Sequence, residues 1–169
     1  MYRTGHYGAA LLGYAPIGFL LLLFGLRELA LLGGAGAVVL AMVPDLDQRV
    51  PGVTHRGPTH TVWFGLFIGG VLGIGAGLMG SSRGVIAATS LAVLGFLVGA
   101  VSVLSHIAAD ALTPAGVRPF TPVRNRRYSY NVATAKNPIA NYALLGAGVL
   151  VSGAALVVGS TLRDYLGRL

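Results

Sequence analysis

Residues 62–80 read Val-Trp-Phe-Gly-Leu-Phe-Ile-Gly-Gly-Val-Leu-Gly-Ile-Gly-Ala-Gly-Leu-Met-Gly, a run of 19 residues without one ionisable side chain. A helix needs roughly 20 apolar residues to cross the hydrocarbon core of a bilayer, and this run supplies them. Six of its glycines (Gly65, Gly69, Gly70, Gly73, Gly75 and Gly77) cost helix propensity in water, but in lipid they let neighbouring helices approach closely. The run therefore reads as a membrane helix that packs through small residues. Working outward, four more windows of the same kind cover residues 8–26, 29–44, 85–112 and 138–160. Pro16 is expected to kink the first. Only Arg27 and Glu28 separate the first from the second, which leaves Gly33 and Gly34 as an alternative place for that turn. The 85–112 window is about 42 Å long at the helical rise, more than the hydrocarbon core, so its last two turns are expected to reach the headgroup layer.

Composition agrees with this reading. Apolar residues make up 54% of the chain, charged residues 10%, and the mean hydropathy is +0.75, outside the soluble globular range. The expected fold is all-α, an integral membrane bundle of about five transmembrane helices forming one domain over residues 1–169, with no room for a separate soluble unit. The net charge of +7 points to topology and lipid contact, and nucleic acid is not an expected partner. The chain has no cysteine, which removes disulfides and thiolate metal sites. No small-residue cleavage signal follows the first apolar run, so that run is expected to be retained.

Five crossings put Arg3, Arg49, Arg56, Arg118, Arg124, Arg126, Arg127 and Lys136 on one side and Arg27, Arg83, Arg163 and Arg168 on the other. By the positive-inside tendency the first side is cytoplasmic. The same topology brings every histidine to that side: His6 ahead of the first helix, His55 and His60 in the second connection, and His106 at the end of the fourth helix. Four or six crossings would split them.

The polar groups concentrate in residues 44–61, Pro-Asp-Leu-Asp-Gln-Arg-Val-Pro-Gly-Val-Thr-His-Arg-Gly-Pro-Thr-His-Thr. Two of the chain's five acids and two of its four histidines fall in this segment. An ordinary polar loop, with Asp45 ending or capping a helix, is the plainer reading. Charge near membrane helices is expensive, however, and marks function where it collects. His106 and Asp110, four residues apart, share one helix face, and Thr113 continues it if the helix persists. Imidazole and carboxylate together suit zinc, manganese or iron. The candidate metal ligands are thus His6, Asp45, Asp47, His55, His60, His106 and Asp110.

Pro-Asp-Leu-Asp, then His-Arg-Gly-Pro-Thr-His-Thr, then Ser-His-x3-Asp-x2-Thr-x2-Gly resembles the YdjM-like, LexA-regulated, membrane-bound metal-dependent hydrolase family of bacteria, over nearly the whole chain from His6 to the loop around Pro122. The resemblance implies a prokaryotic multi-pass protein of the cytoplasmic membrane. The ligand order His, Asp, His, His-x3-Asp is also distantly similar to that of zinc-dependent phospholipase C and the P1-type nucleases, mapping onto His6, Asp45 or Asp47, His60, and His106 with Asp110. The later His and His-x3-Glu of those enzymes are missing, which implies one or two ions rather than three.

The expected activity is hydrolysis of a phosphoester, on a lipid or lipid-like substrate, by water activated at a divalent metal, zinc first, at the cytoplasmic face. Asp47 or His55, whichever is not a ligand, would accept a proton. Arg56 would steady a phosphate, with Thr59 and Thr113 as hydrogen-bond donors. Arg118, Arg124, Arg126 and Arg127 would hold an anionic headgroup, or alternatively would only set topology. The rival class is a non-catalytic membrane protein with a structural or transport site for metal or protons. A phosphatase with a histidine nucleophile is a third class, but the arginine it needs shortly before the His-x3-Asp pair is absent, residue 102 being serine.

Overall fold

The computed structural model describes residues 1–168. The five apolar windows are five helices: α1 (Arg3–Leu23), α2 (Arg27–Leu40), α3 (Val62–Gly80), α4 (Val85–Ala111) and α5 (Pro138–Leu166). Each is long and apolar enough to cross a membrane, α2 together with the residues up to Arg49. No strand occurs among the described residues, only an isolated bridge between Val117 and Tyr128. The chain is an all-helical, multi-pass membrane protein.

Its packing inverts that of a soluble protein. The largest fully buried side chains include His6, His60, His106, Asn141, Thr113 and Asp110, whereas Phe24, Leu32, Met79 and Ile86 are exposed. Lipid solvates apolar side chains as well as a protein core does, so helices associate through small residues and polar contacts instead. In α3 the glycines Gly65, Gly69, Gly73 and Gly77 face α4, one per turn. A Cβ on Gly69 would run into the Phe96 carbonyl of α4, and one on Gly73 into the Ala92 carbonyl. Gly70 and Gly75 face open space, so only the every-fourth-residue row carries the packing anticipated for the whole set. Gly8 of α1 and Gly148 of α5 meet in the same way.

Three boundaries differ from the sequence expectation. The α1–α2 turn falls at Phe24–Leu26, where Gly25 takes φ +75, a conformation glycine adopts without strain; it is not at Gly33 and Gly34. Helix α1 begins at Arg3, so His6 lies inside its first two turns rather than ahead of it. That early start is held by Asn141 of α5, whose Oδ1 accepts from the Tyr2 amide at 2.9 Å while Nδ2 donates to the Ala135 and Asn137 carbonyls. Helix α5 runs on to Leu166, beyond residue 160. Pro16 sits within a continuous α1.

The bundle alternates up and down, so the start of α1, the α2–α3 connection and the α4–α5 loop share one end. The α2–α3 connection forms two short 3-10 helices, Pro44–Arg49 and Pro58–His60. The α4–α5 loop folds back on α4: Tyr130 N–H donates to the Ala111 carbonyl and Val132 N–H to that of Leu112, both at 2.8 Å. These bonds satisfy carbonyls that a helix end leaves open. Val62 N–H, opening α3, donates to the Pro119 carbonyl at 2.8 Å, tying the loop to both sides of the site.

Candidate metal centre

Five side chains from four segments converge at this end: His6 of α1, Asp45 of the first 3-10 helix, His60 of the second, and His106 and Asp110 of α4. His60 and His106 present Nε2 atoms 3.2 Å apart. Asp45 Oδ1 lies 3.5 Å from each of them, and Asp110 Oδ2 lies 3.7 and 3.9 Å away. His6 stacks on His106 with ring centres 3.7 Å apart and planes 5° apart, and its Nε2 is 3.6 Å from Asp110 Oδ1. Three overlapping ligand groups result: His6, Asp45 and His106; His60, His106 and Asp110; and Asp45, His55 and His60.

The hydrogen bonds around these rings fix their tautomers. His106 Nδ1 is 2.7 Å from the Ala41 carbonyl, an oxygen that only accepts, so Nδ1 carries a proton and, in the neutral ring, Nε2 the lone pair. His60 Nδ1 is 3.0 Å from Thr59 Oγ1. That hydroxyl donates its own proton to Asp47 Oδ2 at 2.7 Å and so accepts from His60, again leaving Nε2 bare. Two bare nitrogens 3.2 Å apart repel unless a cation lies between them. The separation matches the edge of a coordination polyhedron, since ligands about 2.0–2.1 Å from a tetrahedral ion stand about 3.3 Å from each other. His6 is 1% exposed, and neither of its ring nitrogens has a hydrogen-bond partner. A buried unsatisfied polar group costs about 1–3 kcal/mol, a cost that a metal bond would offset. The donor set therefore fits a divalent metal.

Asp47 stands one layer out, and His55 belongs only to the group with Asp45 and His60. Asp47 is buried, and its Oδ1 is 3.0 Å from His55 Nδ1. Its Oδ2 accepts from Thr59 Oγ1 and, at 3.3 Å, from the Arg56 amide. The separation of Asp45 from Asp47 follows from the local helix: at 3.0 residues per turn, positions two apart point about 240° apart. Arg56 takes φ 62, a left-handed conformation that costs a non-glycine residue about 1–2 kcal/mol. Its side chain meets Asp110 Oδ1 at 3.0 Å, Thr113 Oγ1 at 3.3 Å and the Gly116 carbonyl at 3.1 Å. The Met1 amino group also contacts Asp110 Oδ1.

The remaining expected residues divide. The Thr59 hydroxyl is committed to Asp47 and His60, and the Thr113 hydroxyl donates to the Asp110 carbonyl at 2.8 Å. Both position protein groups. Beside the centre a cleft of about 820 Å³ is lined by His55, Arg56, Arg118 and Arg127, among others. Arg124 and Arg126 do not line it; Arg126 sits over the Tyr128 ring, 5.4 Å from its centroid. Asn141 was not anticipated. Its only trace in sequence is a lone amide one turn after Asn137, at the head of an otherwise apolar helix.

The sequence pattern of a family described as YdjM inner membrane protein matches residues 4–164. No curated protein and no solved structure matches the chain, so the similarity to phospholipase C rests on motif order alone.

Proposed function

The chain belongs to the YdjM inner membrane protein family, and from that premise we propose that it is a metal-dependent hydrolase acting on a phosphoester at one membrane face, the cytoplasmic one by the positive-inside tendency. The observation that carries this reading is His6: a buried imidazole with no hydrogen-bond partner, set against two bare Nε2 atoms and two carboxylates. His6, Asp45, His60, His106 and Asp110 would hold the ion, zinc first by its nitrogen and oxygen donors. A divalent ion bound there supplies Lewis acidity towards a phosphoryl oxygen and acidifies a water.

The protein's own groups supply the rest. His55 borders the cleft and its Nδ1 is held by buried Asp47, an arrangement suited to a general base whose ring is oriented by a carboxylate. His55 takes a proton from the attacking water as its oxygen bonds to phosphorus, and returns it to the departing alkoxide when the ester bond breaks. Arg56, between Asp110 and the cleft, offsets charge on the phosphoryl oxygens.

Asp45 and Arg56, with side chains 15% and 18% exposed, are the open edge of the cluster. An open edge favours catalysis over a closed structural site. Transport of metal or protons calls for ionisable groups along a path to the opposite face. Between His6 and Arg27, and between Arg83 and His106, the helices carry no acid, histidine, lysine or arginine. The test is cleavage of phospholipids and a generic phosphodiester by purified protein with and without chelator. Activity that chelation abolishes and zinc or manganese restores is expected; hydrolysis indifferent to chelation contradicts the reading.

A further inference from the structure

The cleft beside the metal centre lies between residues 54–67 and the loop 115–127. Its two sides differ in chemistry. One wall is the start of α3, where Trp63 and Phe67 stand one turn apart on the face opposite the glycine row, 46% and 62% exposed. The same exposed face continues down α3 through Val71, Ile74 and Leu78. The other wall carries Arg118 and Arg127, and Arg56 closes the end nearest Asp110. No carboxylate lines the cleft, and neither Arg118 nor Arg127 has an ion-pair partner among the described residues. One Arg127 nitrogen donates to the Pro114 carbonyl at 2.7 Å, which fixes the guanidinium at the rim.

We infer that this cleft binds one anionic phospholipid entering sideways from the bilayer, its phosphate held by Arg118 and Arg127 towards the end that Arg56 closes and its acyl chain along Trp63 and Phe67. This deepens the phosphoesterase reading by naming the substrate class. Guanidinium forks match phosphate oxygens two at a time, and their positive charge, unneutralised by protein, is complementary to an anionic headgroup. The aromatic wall opens onto the membrane-facing surface of α3, so an acyl chain need not leave hydrocarbon to reach it. A soluble phosphate would use only the basic rim and leave the aromatic wall without a role.

Trp63 is the chain's single tryptophan and reports occupancy directly. The experiment places metal-stripped protein in nanodiscs and compares quenching by brominated phosphatidylglycerol and brominated phosphatidylcholine at equal mole fraction. A several-fold preference for the anionic lipid is expected. It should be lost in R118Q/R127Q and kept in R124Q/R126Q, which removes equal charge outside the cleft. Glycerol phosphate in solution should leave it unchanged. Equal quenching by both lipids, survival of the preference in R118Q/R127Q, or its loss in R124Q/R126Q overturns the inference, as does displacement by glycerol phosphate. Because metal is absent, failure here is distinguishable from failure of the hydrolase reading, which the chelation assay tests.

Discussion

At the scale of single residues, the account turns on imidazoles with nothing to bond. His6 has no hydrogen-bond partner for either nitrogen, and His60 and His106 face each other through Nε2 atoms 3.2 Å apart. His6→Phe keeps the ring and removes the ligand, so metal affinity should fall at least tenfold, read by competition with a zinc chelator. His55 is assigned proton transfer rather than metal binding. His55→Ala should therefore lower kcat by about 10²–10⁴-fold while metal content stays at the wild-type level; proportional loss of metal would instead make His55 a ligand. Metal binding requires neutral imidazole and ionised carboxylate. Acid therefore competes with the ion, and less metal should be retained at pH 5 than at pH 8. Dialysis at pH 5 and pH 8 followed by metal analysis checks the sign. The sequence made these seven residues visible because ionisable groups are rare in so apolar a chain. It did not separate Asp45 from Asp47, or His60 from His55, because which of each pair turns inward depends on the 3-10 helices and on contacts such as Thr59 with Asp47.

At the scale of elements, α3 and α4 pack through a glycine row that hydropathy does not reveal. A Cβ on Gly69 would meet the Phe96 carbonyl and one on Gly70 would meet nothing, although the two are adjacent and chemically identical. Gly69→Val should destabilise by about 1–3 kcal/mol through overpacking, and Gly70→Val should leave the unfolding midpoint in detergent nearly unchanged. Equal effects of the two would show that helix propensity, not the interface, governs. Helix positions were legible from apolar length. The first turns of α1 were not, because Arg3, His6 and Tyr7 look like a solvated terminus until Asn141 is seen holding Tyr2.

At the scale of the whole molecule, five alternating crossings bring four segments to one face, and the site exists only if that topology holds. The absence of native cysteine makes the topology directly testable. A cysteine replacing Arg83 and one replacing Arg124 should react with a membrane-impermeant thiol reagent from opposite sides, Arg83→Cys from outside the cell. Labelling of both from the same side would contradict the bundle. The apolar windows and the histidines placed beside or at the end of them were enough to anticipate this arrangement. The cleft was beyond sequence, since it depends on the 115–127 loop folding back against α3 through Pro119 and Val62. The central claim is that the converged histidines and aspartates hold a metal, and the most direct test is metal content per chain. After reconstitution with zinc or manganese and removal of excess, the protein should retain at least about one equivalent, and His106→Ala, still folded, should retain far less. A wild-type protein that keeps no metal under those conditions would contradict the account.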